Sequence, residues 1–206
     1  MIEIEYLFFD LGNVILPFDH GVATTKIAEV IGVSPSQVKA WIFDSGLQQE
    51  FEKGEINQVG FCNRFSELSN SNLDDEFLLN TVSDIFSLNR KLVPLISQLR
   101  AVNFPIGILS NTCIAHWEFA LERFPIVEQL FGDFVLSYEV GSMKPDAFIY
   151  ERALAVAAVK PRRCCFVDDR IENVVGAKAV GLEPVLYQSV EQLEIELRCR
   201  GVEFNF

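Results

Sequence analysis

Residues 7–14 read Leu7-Phe8-Phe9-Asp10-Leu11-Gly12-Asn13-Val14. Three apolar residues run directly into an aspartate, and a glycine comes two positions later. The apolar run predicts a short strand over residues 4–9, covered on both faces as in a parallel sheet. Its abrupt end in a carboxylate places Asp10 at the sheet edge where open α/β folds bind ligands. Gly12 allows a tight exit turn. Pro17 ends any continuation of the strand, and Asp19 is a suitable N-cap for the first helix after it.

From about residue 20 to residue 87 the pattern is helical throughout, with no β signal. A first helix over 21–31 is stopped by Gly32, and Ser34-Pro35 opens a second in the favoured cap-then-proline order. Further helices are expected over 44–53, ended by Gly54, and over 57–68 and 73–86, separated by the polar turn Ser69-Asn70-Ser71-Asn72. After residue 90 helices alternate with short apolar strands near 105–110, 134–137, 164–169 and 184–187. Such alternation predicts a parallel sheet with right-handed crossovers. The expected fold is therefore α/β. A Rossmann-like parallel sheet core spans residues 1–16 and 90–206, and an inserted small helical cap subdomain spans residues 17–89, placed to cover the sheet's carboxyl edge.

Half of the 206 residues are hydrophobic and 18 are Phe, which excludes low-complexity and disordered classes. The net charge of −12 argues against nucleic acid or an anionic membrane surface as a partner. It also means that any phosphate site must be made locally positive by a metal, a lysine or backbone N–H groups. The five cysteines are odd in number and contain no Cys-x-x-Cys pair, and the N-terminus has no secretory apolar region. They read as reduced thiols in a cytoplasmic protein. Adjacent Cys164 and Cys165 point to opposite faces of a strand and read as packing residues. Oligomeric state is not legible.

Four strand ends or the loops after them carry polar groups: Asp10, Ser110-Asn111, Lys144 and the pair Asp168-Asp169. In a parallel sheet these ends share one edge, so the groups converge. Each has an ordinary alternative: a turn or cap for Asp10, an N-cap of the helix at 114 for Ser110, a surface lysine for Lys144. The adjacent acids Asp168 and Asp169 repel each other at the end of an apolar run, a conflict that a divalent cation resolves. Mg²⁺ suits such a site, since it takes a few carboxylates together with waters and substrate oxygens.

In order, these four segments resemble the four motifs of the haloacid dehalogenase-like (HAD) hydrolase superfamily. The resemblance covers the core, about residues 1–16 and 90–206. It implies that Asp10 is a covalent nucleophile and that Ser110, with Asn111 as a further donor, binds a phosphoryl oxygen. Lys144 would hold the nucleophile and the phosphoryl group together. Asp10, the Gly12 carbonyl and Asp169 would ligate Mg²⁺, with Asp168 behind or beside them. Asn173 falls where relatives carry another Asp or Asn, and Gly176-Ala177-Lys178-Ala179 matches a small-residue helix that packs closely on the sheet. The implied activity is Mg²⁺-dependent release of phosphate from a small phosphorylated metabolite, a sugar phosphate or similar, through an aspartyl-phosphate.

The chain departs from the family's Asp-x-Asp at Gly12, where the second acid would handle protons. The Asp-Leu-Gly-Asn form resembles a phosphatase subset, while mutase chemistry, which depends on that acid, is disfavoured. Two alternatives remain open: a metal-independent 2-haloacid dehalogenase, which leaves Asp168-Asp169 unexplained, and a catalytically weak binding or regulatory protein on the same fold. His20 is a conceivable substitute for the missing acid but reads more simply as a solvent-facing residue in a helix's first turn. His116 has no assigned role. Phe51-Glu52-Lys53-Gly54-Glu55-Ile56 looks like a recurring cap segment with a structural purpose.

Overall fold

The structure, a computed structural model, describes residues 3–204. The β-strands are β1 (Tyr6–Phe9), β2 (Ile106–Ser110), β3 (Asp133–Leu136), β4 (Cys164–Asp168) and β5 (Glu183–Leu186), in the order β3-β2-β1-β4-β5. Every neighbouring pair is parallel. The strand that ends in Asp10 is thus the middle of the sheet, with β2 and β4 on either side. Residues 4 and 5 lie outside the ladder, because the Ile4 and Glu5 N–H groups donate instead to the carbonyls of Arg200 and Arg163.

Side-chain alternation along β1 explains why the sheet is covered on both sides. Leu7 and Phe9 enter one buried cluster with Ile106, Ile108, Cys165 and Val167. Tyr6 and Phe8 enter another with Leu109, Cys164 and Phe166. Cys164 and Cys165 therefore pack on opposite faces. None of the five cysteines is paired, and only Cys199 is exposed.

Between β1 and β2 lie α1 (His20–Ile31), α2 (Pro35–Lys39), α3 (Leu47–Glu52), α4 (Gln58–Ser69), α5 (Asp75–Ser83) and α6 (Val93–Ala101). Asp19 caps α1 through the Gly21 N–H, and α2 opens with a capping box between Ser34 and Gln37. The expected helix over 44–53 is not continuous. Ala40–Asp44 extends α2 as a π-helical stretch, Gly46 takes a left-handed conformation with φ 84°, and α3 starts only at Leu47. The helix expected over 73–86 stops at Ser83, which frees Phe86 to pair with Phe18. The two chain segments that enter and leave the helical block thus run side by side, joined also by Asp19 N–H to the Ile85 carbonyl and Ser87 N–H to the Pro17 carbonyl.

The block has its own core. Ile27, Val38, Ile42, Phe51, Phe61, Phe65 and Leu78 are buried together with Cys113 and Ala115 of the sheet domain. The remaining helices are α7 (Ile114–Arg123), α8 (Ile126–Leu130), α9 (Ser137–Val140), α10 (Ala147–Ala157), α11 (Ile171–Ala179) and α12 (Val190–Cys199). The short helices α8 and α9 have no counterpart in the sequence reading. Gly176 of α11 lies against the Lys144–Pro145 turn, whose peptide is cis; a Cβ there would stand 2.7 Å from the Pro145 carbonyl oxygen. This is the close packing that the small residues of α11 permit. Among the described residues, no helix is long and apolar enough to cross a membrane.

Candidate active site

The register carries three sequence-distant groups to one edge. Phe9 pairs with Ile108 of β2 and with Val167 of β4, so Asp10 sits between Leu109 and Asp168. Lys144 arrives from the loop before α10 and fills the space among them. Its ammonium donates to Asp10 Oδ1 at 2.8 Å, to Asp168 Oδ2 at 2.7 Å and to the Leu109 carbonyl at 3.0 Å. Lys144 is only 4% exposed, so it is not a surface lysine. Burial works against its charge, but the attraction of Asp10 and Asp168 outweighs this and holds the ammonium above its ordinary pKa.

Asp10 Oδ1 accepts from Lys144 and from the Leu11 N–H at 2.7 Å. Oδ2 accepts from no group among the described residues, although the residue is buried. Burial pushes the carboxyl up to about 7; Lys144 opposes this and Asp168 and Asp169 reinforce it. The sequence alternative of a helix cap or turn aspartate does not describe such a group.

Asp168 is fully buried and saturated. Besides Lys144 it accepts from the Asn173 amide at 3.0 Å on each oxygen and from the Arg170 N–H at 2.8 Å. The acid pair therefore has a structural rationale that the sequence did not reveal: Asp168 is the counter-charge of Lys144. Asp169 points the other way, toward the Asn13 amide, which donates to its Oδ2 at 3.1 Å. Asn13 reaches it from a left-handed backbone conformation, φ 55°, that Asn tolerates. Oxygens of Asp10, Asp168 and Asp169 all lie within 4.8 Å of one another. The Gly12 carbonyl accepts the Val14 N–H at 2.7 Å and keeps a second lone pair.

Two expectations about β2 are refined. The N-cap position of α7 is Cys113, which makes no side-chain capping bond, so Ser110 is not its N-cap. The Asn111 amide is engaged with the Lys144 backbone, donating to its carbonyl at 2.9 Å while its Oδ1 accepts the Lys144 N–H at 2.8 Å. Asn111 thus fixes the lysine loop, a second task beside the phosphate donor expected from the sequence, for which one N–H of its amide is left. Ser110 is 1% exposed and its hydroxyl donates to the Asn111 carbonyl at 3.3 Å. It borders a 50 Å³ recess that shares Gly12, Phe18, His20, Glu52 and Asn111 with the cavity above Asp10.

The cavity above these groups, about 290 Å³, is lined by Asp10, Gly12, Lys144 and Asp169 from the sheet edge and by His20, Phe43, Gln48, Gln49 and Glu52 from the helical block. Arg170, paired with Glu172, stands at its side. His20 is not simply solvent-facing. Its ring lies 4.8 Å from that of Phe18 and 4.5 Å from that of Phe43, and burial lowers its pKa. His116 is buried with Nε2 3.1 Å from the Val82 carbonyl, and burial drives its pKa down to about 4. Gln48, Glu52 and Arg170 were not anticipated as site residues. The signal for Glu52 was its place one residue before a lysine and a turn glycine, which says nothing about direction.

Comparison with known proteins gives a consistent frame. The family model described as haloacid dehalogenase-like hydrolase matches residues 4–181. D-ribitol-5-phosphate phosphatase of Bacteroides thetaiotaomicron is 26% identical over 188 residues, covering 87% of this chain and 90% of that protein. Mouse acyl-CoA dehydrogenase family member 10 is 28% identical over 201 residues, 94% of this chain, which spans only 19% of that protein. A HAD family enzyme from B. thetaiotaomicron, solved with magnesium and inorganic phosphate, superimposes with a TM-score of 0.82 at 23% identity, over 92% of this chain and 98% of that one.

Proposed function

We propose, for a chain that belongs to the haloacid dehalogenase-like hydrolase family, the role of a Mg²⁺-dependent phosphatase acting on a small phosphorylated metabolite, a sugar phosphate or similar. The observation that carries the reading is the Asp10 carboxyl, with one oxygen held by Lys144 at 2.8 Å and the other accepting no hydrogen bond among the described residues. The similarity to a D-ribitol-5-phosphate phosphatase supports a small polyol or sugar phosphate as substrate class.

Oxygens of three carboxylates converge within 4.8 Å here, and the one ammonium among them contacts only Asp10 and Asp168. Hard oxygen donors with an unbalanced negative charge suit Mg²⁺. Asp10, Asp169 and the Gly12 carbonyl would hold it, because Asp168 is already engaged by Lys144 and Asn173. When bound, the ion neutralises charge on the transferring phosphoryl group.

The chain's own groups do the rest. Asp10 attacks phosphorus and forms an aspartyl-phosphate, splitting one difficult step into two. Lys144 offsets the repulsion between the carboxylate and the incoming anion, held in place by Asp168 and by the Asn111 clamp on its backbone. Ser110 lies at the recess beside Gly12, where a hydroxyl can meet a phosphoryl oxygen. Residues 17–89 act as a cap over the cavity, and residues 1–16 and 90–206 as the core that carries the nucleophile.

The test is a panel of metabolite phosphates with and without Mg²⁺, against an Asp10→Asn control. Phosphate release that depends on both Mg²⁺ and Asp10 is expected. No release above the control, or dechlorination of 2-chloropropionate that survives chelation, would overturn the assignment.

A further inference from the structure

The loss of an alkoxide from a phosphate ester requires a proton, and the later attack of water on the phosphoenzyme requires a base. The acids on the cavity floor are otherwise engaged. Asp10 is the attacking group, Asp168 is saturated by Lys144 and Asn173, and Asp169 belongs to the cation site. A carboxyl cannot come from position 12 either. A Cβ on Gly12 would stand 2.8 Å from Cε1 of Phe18, whose ring covers the place.

The roof supplies one. We propose that Glu52, at the end of α3, is the proton donor and acceptor of this site. The inference rests on the phosphatase reading above. Three observations place the residue. First, Glu52 lines the cavity that Asp10 and Gly12 also line, and, like His20, the recess beside it. Second, its backbone is fixed to the sheet domain: Ser137 Oγ donates to the Glu52 carbonyl at 2.6 Å, and the same hydroxyl accepts the Thr112 N–H at 2.9 Å. Two residues on, Gly54 presses against Tyr138 so closely that a Cβ would lie 2.2 Å from its carbonyl oxygen. Glu52 is therefore a cap residue held at a defined height over the sheet edge. Third, its carboxyl is oriented by the Gln48 amide, which donates to Oε1 at 2.9 Å and leaves Oε2 without a hydrogen-bond partner among the described residues.

The charged and titratable groups around it are Arg170 and Lys144 from the sheet loops, the buried Cys113 thiol before α7, and His20 across the cavity. Burial raises the Glu52 pKa, while Gln48, Arg170 and Lys144 oppose the rise. His20 shares the cavity, but burial lowers its pKa, so it is a poorer donor near neutral pH.

Atoms and protons balance over the two steps. Asp10 forms its bond to phosphorus as the P–O bond of the ester breaks, and the leaving oxygen takes the Glu52 proton. The resulting Glu52 carboxylate then takes a proton from water as that water's oxygen bonds phosphorus and the Asp10–phosphorus linkage breaks. Phosphate leaves, and both carboxyls return to their starting states.

The test compares the wild-type full chain, Glu52→Gln and Glu52→Asp in Mg²⁺, on two esters. One is the alkyl phosphate turned over fastest in the panel above. The other is p-nitrophenyl phosphate, whose phenolate leaves without a proton. Glu52→Gln keeps the acceptor for Gln48 and loses the proton. It is expected to slow the alkyl ester by roughly 10²–10⁴-fold in kcat. The aryl ester should still give a rapid burst of p-nitrophenolate followed by slow turnover, because only the water step then lacks its base. Glu52→Asp should retain more alkyl turnover than Glu52→Gln. Equal losses on both esters without a burst, losses under threefold, or a reversed order of the two variants would overturn the proposal. Absence of wild-type turnover of either ester would overturn the phosphatase reading itself.

Discussion

Lys144→Met is the substitution with the largest consequence away from any assay of activity. The ammonium is 1% exposed as a side chain and lies 2.8 Å from Asp10 and 2.7 Å from Asp168, whose own side chains are 10% and 0% exposed. Methionine fills similar volume, so the loss is mainly electrostatic. Removing one partner of a buried ion pair costs about 3–5 kcal/mol, because it leaves an uncompensated buried charge. For a chain of this size each kcal/mol shifts Tm by about 2–4 °C, so a fall of roughly 6–20 °C is expected. The deficit should depend on pH in a definite direction. The Asp10 carboxyl is already pushed up to about 7 with Lys144 present, and loss of the cation pushes it further up. At pH 5 wild type and variant both hold this carboxyl protonated and its part of the penalty is small; above about pH 7 the variant alone keeps the proton, and the penalty grows as pH rises. Thermal and urea unfolding in chelator-containing buffer at pH 5 and pH 8 measure this. Adding Asp168→Asn to Lys144→Met should recover part of the loss, with a coupling of about 0.5–3 kcal/mol. A Tm within 2 °C of wild type at pH 8, or equal losses at the two pH values, would refute the assigned role of Lys144.

Four further outcomes are expected. Asp10→Asn should flatten the stability profile of the metal-free chain between about pH 4 and pH 7: there the folded carboxyl keeps a proton that the unfolded chain has lost, so wild-type stability falls as pH rises through the window. An unchanged slope in urea midpoints would contradict this. Mg²⁺ should raise the wild-type Tm, by about 2.7 kcal/mol of stabilisation at a hundredfold excess over Kd, and Asp169→Asn should remove that response; a shift of equal size in the variant would move the cation site elsewhere. Gly12→Asp should destabilise by about 1–3 kcal/mol through overpacking against Phe18, and Phe18→Leu should relieve it, as read from Tm values of the single and double variants. Gly54→Ala should cost about 1–2 kcal/mol for its left-handed φ of 71° alone, with more from the Tyr138 carbonyl. Its kcat should fall alongside its Tm, since Glu52 sits two residues away.

The sheet edge was legible in sequence for a topological reason. Parallel strands end on one side, so Asp10, Lys144 and Asp168 had to converge wherever the crossovers ran. Direction within the edge was not legible. Adjacent Asp168 and Asp169 look alike in sequence, yet the first turns to Lys144 and Asn173 and the second to Asn13. Asn111 resembles a ligand donor in sequence, and its grip on the Lys144 backbone was hidden because that partner is 33 residues away. The roof was the least legible part. Helical periodicity over 44–53 does not show that the helix breaks at Gly46, and the contact that fixes Glu52 comes from Ser137, 85 residues later.

The absence at position 12 and the presence at position 52 are two sides of one arrangement. Phe18 belongs to the strand-like crossing that ties the helical block to the sheet domain, where it pairs with Phe86. Its ring both closes the space above Gly12 and forms a wall of the cavity. An acid on the strand would need that ring displaced, whereas an acid on α3 needs only that the block be seated. Seating is enforced by Ser137 and by the fit of Gly54 under Tyr138. With Asp10 on the sheet and the proton carrier on the roof, the complete set of groups exists only while the roof is docked.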